Sequence, residues 1–355
     1  MSPTPASLGF RMAAEWEPHA ATWLVWPHKA SDWPGKLAPI AWVYGEIIRK
    51  LAPGEAVRLL VPSATHEKAA RRALARVGVD LSSVQFLRVP TDRGWTRDMG
   101  PAFVRKGGGK PAVALVRFRF NGWAKYPDWK KDDRIPEWAS KRFGYRTFRS
   151  RVGDRDVVLE GGSIDTNGRG TILTTEECLL HPTVQVRNPG FGAAEWEQVF
   201  RDDLGCPNTI WLGRGIEGDD THGHVDDLAR FVDHRTIVLC AEDDPTDENA
   251  RVLAANRERL EDARLEDGSK PEVVSLPMPK PLFFDGRRLP ASYANFYISN
   301  SAVLVPTFND LNDRKALGIL SELIRDRPVV GIHAVDLVWG LGTIHCLTRE
   351  EPAAS

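Results

Sequence analysis

Short apolar, β-rich runs alternate along the chain with longer stretches that have the residue spacing of amphipathic helices. The short runs have the length of strands, and many are bounded by Gly, Pro, Asp or Asn. The pattern predicts strands over residues 21–26, 56–61, 84–89, 112–120, 171–175, 209–211, 236–240, 273–276, 302–305 and 329–332. It predicts helices over residues 38–51, 65–77, 193–204, 247–263 and 313–326. We therefore expect a mixed α/β fold.

Strands and helices return in groups roughly 50 to 70 residues apart, a spacing typical of repeat architectures. The groups share no convincing sequence identity. No Gly/Ser linker or long charge run divides the chain, and the run RKGGGK at residues 105–110 indicates a tight hairpin tip. We therefore expect a single domain over residues 1–355, with residues 350–355 forming a frayed end.

The composition is that of an ordinary folded protein, because 42% of the residues are hydrophobic and 27% are charged. The 47 basic and 48 acidic side chains leave a net charge of −1, so no broad positive field favours nucleic acid as a partner. The N-terminus lacks the pattern of a signal peptide, and no run of about 18 apolar residues occurs. We expect a cytoplasmic protein with no membrane partner.

The most informative segment is GDDTHGHVDDLARFV at residues 218–232, where acidic residues crowd the start of a strand-like run. If the backbone is extended there, period-two alternation puts His224 and Asp226 on the same face. An imidazole and a carboxylate then face one pocket. A solvated turn is the alternative, because Asp and Gly are common turn residues.

Two further segments carry acids in irregular, glycine-containing stretches. GWTRDMGP at residues 94–101 contains Asp98, which alternatively forms a surface ion pair with Arg97. LEGGSI at residues 159–164 places Glu160 before paired glycines, which let the backbone pass close to another group. A β-bulge is the alternative for this second segment.

The four cysteines are far apart and form no CxxC pair, so they indicate neither a zinc site nor a redox couple. Three are expected to be structural, namely Cys178, Cys206 and Cys240. WGLGTIHCLT at residues 339–348 predicts a strand over residues 343–348 that presents Cys346, although a buried structural cysteine is the alternative. His345 then points to the opposite face, which makes His224 the better partner for the thiol.

These residues fit the hydrolysis of a guanidinium group. Carboxylates bind its planar nitrogens in a fork and orient the central carbon. A thiolate is a potent nucleophile at neutral pH, and an imidazole can protonate departing ammonia. This chemistry requires no metal and no cofactor.

Long motifs in the same order resemble the agmatine deiminases and the related bacterial peptidylarginine deiminases, of the guanidine-modifying superfamily. The motifs are AEWEPHAATWLVWPH (14–28), WTRDMGP (95–101), FNGW (120–123), LEGGSIDTNGRGTILTTEECLL (159–180), GDDTHGHVDDLARF (218–231), ASYANFYISN (291–300) and IHCLT (344–348). The resemblance implies a pentein fold, a five-bladed α/β propeller of pseudo-fivefold ββαβ repeats around a central active site. It also implies a homodimer.

The resemblance implies a role for each catalytic candidate. Cys346 attacks the guanidinium carbon, Asp98 and Asp226 hold the nitrogens, His224 moves protons and Glu160 orients His224. Agmatine would give N-carbamoylputrescine and ammonia. The chain departs from the family pattern on the loop before the nucleophile, at Leu341 and Thr343, and at His222 before Gly-His.

The far end of the substrate is less well defined by the sequence. Agmatine ends in an ammonium, for which Asp219 and Asp220 are candidates, although either can instead cap a turn. Trp95 and Trp123 can flank the substrate or simply pack in the core, and Gly342 is expected to approach it closely.

Three alternatives to agmatine hydrolysis remain. The chain can act on arginine, peptidylarginine or another guanidine compound. It can be a non-catalytic propeller that binds another molecule. It can also be a cysteine-histidine amidase, which would need an oxyanion hole rather than two carboxylates.

Overall fold

The computed structural model describes residues 3–107 and 112–354. Its strands are β1 (His19–Val25), β2 (Ala56–Val61), β3 (Val84–Arg88), β4 (Ala102–Lys106), β5 (Ala112–Arg117), β6 (Arg146–Arg149), β7 (Arg151–Val152), β8 (Arg155–Asp156), β9 (Ile164–Thr166), β10 (Thr171–Thr175), β11 (Asn208–Leu212), β12 (Ala229–Phe231), β13 (Thr236–Ala241), β14 (Glu272–Pro277), β15 (Phe283–Phe284), β16 (Arg287–Arg288), β17 (Tyr297–Ile298), β18 (Val303–Thr307), β19 (Val329–His333) and β20 (Arg349–Pro352).

Its helices are α1 (Leu37–Leu51), α2 (Ala64–Arg76), α3 (Thr96–Met99), α4 (Ile135–Phe143), α5 (Glu176–Leu180), α6 (Ala193–Leu204), α7 (Glu248–Asp262), α8 (Leu311–Leu323) and α9 (Ile344–Leu347). Each strand and helix predicted from periodicity has a counterpart, with ends shifted by at most a few residues. The helix α4 and the shorter helices α3, α5 and α9 were not predicted. The predicted hairpin tip at residues 105–110 lies largely outside the described residues. Within the described residues, no helix combines the length and apolar character that a membrane crossing requires.

Five sheets in the described chain repeat one topology. A middle strand pairs antiparallel with an inner strand on one side and parallel with an outer strand on the other. A helix connects the parallel pair in each case, as expected for a parallel crossover. The sheets are β20-β1-β2-β3, β4-β5-β6, β9-β10-β11, β12-β13-β14 and β17-β18-β19. This repeated ββαβ order fits the five-bladed propeller that the motifs imply.

The two ends of the chain meet in one sheet, because β20 pairs with β1. The prediction of a frayed end over residues 350–355 is therefore wrong for its first residues. Arg349, Glu350 and Glu351 are buried, and Trp23 Nε1 donates a hydrogen bond of 2.8 Å to Glu351. The charged composition of this segment resembles a solvated tail, but its charges are paired with residues far away in the sequence.

A short segment lies directly before the inner strand of each sheet, and these five segments build one buried polar cluster. Their single helical turns and glycines let polar side chains turn inward before the strand begins. The segments are α3, Glu160–Ser163, His224–Asp227, the stretch around Asn295, and α9.

Candidate active site

Cys346 lies on the single helical turn α9 and not on the strand predicted over residues 343–348. Asn295 explains the difference, because its Oδ1 accepts hydrogen bonds from the backbone N–H groups of His345 (3.1 Å) and Cys346 (3.4 Å). This contact caps the turn from a different blade. Cys346 is 8% exposed and lines a cavity of about 420 Å³.

The surroundings of the Cys346 sulfur disfavour its thiolate in the absence of substrate. Burial raises the pKa of the Cys346 thiol well above its ordinary value, and the carboxylates of Asp226, Asp227 and Asp98 raise it further. Asp226 Oδ2 lies 3.9 Å from Sγ. A cation bound among these groups would offset their charge.

Asp98 and Asp226 face each other next to Gly162. Asp98 accepts hydrogen bonds from the Gly162 N–H (2.9 Å) and from Trp123 Nε1 (2.8 Å). Asp226 Oδ2 accepts one from His345 Nδ1 at 2.6 Å, whereas Asp226 Oδ1 has no partner among the described residues. A Cβ at position 162 would lie 2.9 Å from Asp98 Oδ1 and 3.0 Å from Asp226 Oδ2. A glycine therefore leaves open the space that both carboxylates border.

His224 lies between these carboxylates and Glu160. It precedes a 3-10 turn over Val225–Asp227, so the condition of an extended backbone is not met, although His224 and Asp226 still face one site. His224 Nδ1 is 3.8 Å from Asp98 and 4.0 Å from Asp226, and Nε2 is 3.7 Å from Glu160 Oε2. Burial opposes a charge on the ring, but Asp98 first and then Cys178 and Glu160 raise the pKa of His224 well above its ordinary value.

Glu160 is held by a buried arginine that the sequence did not single out. Arg187 Nε lies 3.2 Å from Glu160 Oε1. Although burial opposes ionisation, the Arg187 guanidinium lowers the pKa of Glu160 to about 2. A fixed negative charge therefore lies behind His224, which suits an imidazole that carries a proton.

Aromatic side chains line the cavity near the sulfur, and Gly342 lies close to one of them and to Cys346. Trp95 and Trp123 both line it while remaining buried, so the cavity-wall and core interpretations hold together. A Cβ at Gly342 would lie 2.8 Å from the Trp95 ring and 3.1 Å from Cys346 Sγ. The preceding Leu341 has a left-handed backbone, with φ of 70°, at a position where glycine is favoured.

Of the two acids predicted for the far end of the substrate, only Asp220 lines the cavity. It contacts Lys125 Nζ (2.8 Å), the Tyr126 hydroxyl (2.6 Å) and the Arg287 guanidinium. Although burial opposes ionisation, these partners lower the pKa of Asp220.

The prediction that Asp219 binds substrate is wrong, because its carboxylate caps the loop. Asp219 Oδ1 accepts from Thr221, and Oδ2 accepts the backbone N–H groups of Gly223 (2.7 Å) and His224 (2.9 Å). Asp219 therefore fixes the backbone that carries His224. This is the alternative in which the acid caps a turn.

Besides Arg187, sequence reasoning gave no role in the site to three further buried residues that contact the cluster. They are His345, which binds Asp226; Asn295, which binds Cys346; and Cys178, which lies beside His224 and Glu160. All three lie inside the motifs that carry the family resemblance. That position was the available signal, because none of their contacts is close in sequence.

Two groups of three potential metal ligands occur in the described part of the chain, with donor atoms within 4.8 Å of one another. They are Glu160, Cys178 and His224, and Asp226, Asp227 and Cys346. Both belong to the cluster described above, where the chemistry expected of a thiol and carboxylates needs no metal. The absence of a metal and of a cofactor remains a prediction.

Fold and site together define a five-bladed α/β propeller with one cysteine-centred polar cluster. The chain belongs to the Porphyromonas-type peptidyl-arginine deiminase family, whose model matches residues 11–352. This confirms the family that the motifs predicted.

Relatives cover the whole chain. An agmatine deiminase of Pseudomonas aeruginosa (strain LESB58) is 34% identical, over 99% of this chain and 97% of the relative. The solved agmatine deiminase of Enterococcus faecalis is 29% identical with a TM-score of 0.90, covering 100% of this chain and 99% of that one. A cysteine-to-serine variant of the agmatine deiminase of C. jejuni, solved with substrate bound, is also 29% identical, with a TM-score of 0.84 and 96% of each chain covered. These likenesses confirm the predicted fold.

Proposed function

We propose that this protein is an agmatine deiminase, a hydrolase that converts agmatine to N-carbamoylputrescine and ammonia through a covalent intermediate on Cys346. The observation that carries the proposal is that Cys346 and Asp98 line one cavity, with Asp226 Oδ2 3.9 Å from the Cys346 sulfur and His224 beside the two carboxylates. The names of full-length relatives agree with it.

Asp98 and Asp226 would hold the guanidinium. Their oxygens border the space above Gly162, and Asp226 Oδ1 is a buried acceptor with no partner among the described residues. A buried unpaired acceptor is unfavourable, so a guanidinium N–H would find a strong partner there. The bound positive charge would also favour the Cys346 thiolate by offsetting the neighbouring carboxylates.

His224 would move the protons. The thiolate attacks the guanidinium carbon, the bond from that carbon to one NH2 group breaks, and protonated His224 gives its proton to the departing ammonia. Neutral His224 then takes a proton from water, whose oxygen attacks the same carbon, and the C–S bond breaks to release the ureido product. Glu160, charged behind the ring, would orient it in both steps.

Asp220 is the acid proposed for the ammonium of agmatine. Its carboxylate already contacts Lys125, Tyr126 and Arg287, of which Arg287 is half exposed. An ammonium would therefore exchange with Arg287 and leave the more buried contacts in place. Trp95 and Trp123 would flank the aliphatic stem.

A second candidate function, deimination of arginine or of peptidylarginine, is favoured by the same contacts. Arg287 lines the cavity and Lys125 contacts the same Asp220 carboxylate, so two cations surround one acid there, and a substrate carboxylate would be attracted to them. A non-catalytic binding propeller is less favoured, because it gains nothing from three carboxylates around a buried thiol.

A panel of agmatine, arginine, peptidylarginine and methylated arginines, scored by ureido product, tests the proposal. We expect agmatine to give the highest kcat/KM, and Cys346→Ala to abolish turnover while the melting temperature stays close to that of the wild type. Cys206→Ala is the matched control, because Cys206 is buried away from the cavity, and it should retain turnover. Chelators should have no effect. Undiminished turnover by Cys346→Ala would rule out Cys346 as the nucleophile.

A homodimer remains a prediction from the resemblance. Light scattering coupled to size-exclusion chromatography would measure it directly, since the chain mass is 39.5 kDa.

A further inference from the structure

Four of the five segments that precede the inner strands carry the residues proposed for catalysis, and the fifth carries Asn295. This asparagine lies just before β17 and is fully buried. The pseudo-fivefold arrangement thus brings Asn295 to the same cluster as Asp98, Asp226 and Cys346.

The orientation of the Asn295 amide is fixed by backbone N–H groups, which can act only as donors. Oδ1 accepts the Thr343 hydroxyl at 2.7 Å and the backbone N–H of His345 at 3.1 Å. A backbone N–H cannot accept a hydrogen bond, so the atom facing it must be the carbonyl oxygen. The NH2 group therefore points the other way.

That NH2 group has two hydrogens and two acceptors. Nδ2 lies 3.0 Å from Asp227 Oδ1 and 3.1 Å from Cys346 Sγ. Every donor and acceptor of the Asn295 side chain is thus used, which holds one N–H on the sulfur without rotational freedom.

We infer that Asn295 is a further catalytic residue, which donates a hydrogen bond to the Cys346 sulfur and thereby stabilises its thiolate, with Asp227 as the residue that positions the amide. The inference rests on the proposed role of Cys346 as the nucleophile. The other polar groups near the sulfur are carboxylates, which disfavour a second negative charge. A neutral hydrogen-bond donor has the opposite effect to these carboxylates, because it lowers the energy of the thiolate without repelling a cationic substrate.

A purely structural role is the competing interpretation, because Asn295 Oδ1 also caps α9. The two roles differ in their readout. Loss of the cap lowers stability, whereas loss of the N–H on sulfur raises the pKa of the thiol. Thr343→Val is the matched control, because it removes one hydrogen bond to Oδ1 and leaves the Nδ2 contact with the sulfur in place.

The test compares Asn295→Ala, Asn295→Asp, Thr343→Val and the wild type. The pH dependence of iodoacetamide alkylation of the Cys346 peptide is followed by mass spectrometry, together with kcat and KM for agmatine. For both Asn295 variants we expect the alkylation midpoint to rise by about one pH unit or more. We expect kcat near pH 7 to fall by at least about tenfold, with KM within about threefold and partial recovery of kcat at higher pH. Thr343→Val should keep the wild-type midpoint.

An unchanged midpoint in both Asn295 variants, with only a lower melting temperature, would overturn the inference in favour of capping. Asn295→Asp retains the oxygen that caps α9, so this variant alone can carry the test if Asn295→Ala does not fold. If the wild type deiminates agmatine but the Asn295 variants keep the wild-type alkylation midpoint, the inference about Asn295 fails and the proposed function stands. If the midpoint shifts but no guanidine compound is turned over, the proposed function fails and the sulfur contact stands.

Discussion

Asp226 and His345 are joined by a buried hydrogen bond of 2.6 Å between the carboxylate Oδ2 and the imidazole Nδ1. The other ring nitrogen of His345 lies 2.8 Å from Glu15 Oε2, and Glu15 in turn contacts Arg97 (3.0 Å) and Arg230 (2.9 Å). The carboxylate proposed to hold the substrate is therefore fixed by a chain of buried polar groups. His345 does not contact the thiol beside it, in agreement with the prediction that it is a poor partner.

We expect His345→Gln to impair guanidine binding, because Asp226 loses the group that fixes its orientation. A hydrogen bond to a buried charge is worth about 1.5–3 kcal/mol, so kcat/KM for agmatine should fall roughly 10- to 100-fold, mainly through KM. His333→Gln, on the exposed side of β19, is the control and should keep wild-type kinetics. A kcat/KM within about twofold of the wild type would show that His345 does not support Asp226.

Gly162→Ala should abolish turnover, because the added Cβ would lie 2.5 Å from His224 Nδ1. A group cannot occupy that position without displacing His224 or filling the substrate site. We expect a loss of at least about a thousandfold in kcat/KM, since a small displacement of reacting groups already costs on the order of a hundredfold. Gly318→Ala is the control, because a Cβ there meets nothing within 4 Å in helix α8. Near-normal activity in Gly162→Ala would contradict the described approach of His224 to this backbone.

Glu160 should stabilise the fold in a pH-dependent way. Its pKa in the folded protein is about 2, below the ordinary 4.5, so its contribution is fully present above pH 4.5 and is lost as the pH falls toward 2. The stability gap between the wild type and Glu160→Gln, measured by urea unfolding, should narrow across this window by up to about 3 kcal/mol. Glu261→Gln, on an exposed part of α7, should give no such pH-dependent gap. A gap independent of pH would mean that Glu160 and Arg187 are not a charged pair.

Removing residues 349–355 should strongly destabilise the protein. The deletion takes away β20 and leaves the buried Arg97 and the half-buried Arg58 without Glu350 and Glu351. Breaking one buried pair costs about 3–5 kcal/mol, so the urea midpoint should fall sharply or folding should fail. A chain shortened only by its last two residues is the control and should match the wild type. Equal midpoints for the two truncations would restore the interpretation of a frayed end.

Several local elements could be predicted because their signal is local. The strand over residues 171–175 and the helix over residues 193–204 have the predicted bounds, because a short β-branched run and an apolar spacing of about 3.6 residues are both signals contained within the element. The same reasoning failed for residues 343–348. A single turn is too short for periodicity, and its conformation is fixed by Asn295 from another blade.

The site was predictable in its members more than in its geometry. Cys346, His224 and Asp98 were identified through ordered motifs, whereas Asp219 and Asp220 are adjacent acids that no pattern distinguishes. The structure separates them, because the Asp219 carboxylate binds loop N–H groups and the Asp220 carboxylate faces the cavity.

The sequence by itself determined the family, the alternation of strands and helices, and the residue types able to attack and hold a guanidinium. Only the tertiary structure decided that β20 pairs with β1, that Asn295 contacts Cys346 and His345 contacts Asp226, and which acid faces the cavity. The physical reason is range: apolar periodicity acts between neighbours along the chain, whereas the hydrogen bonds and charges of this site join residues that are up to 330 positions apart.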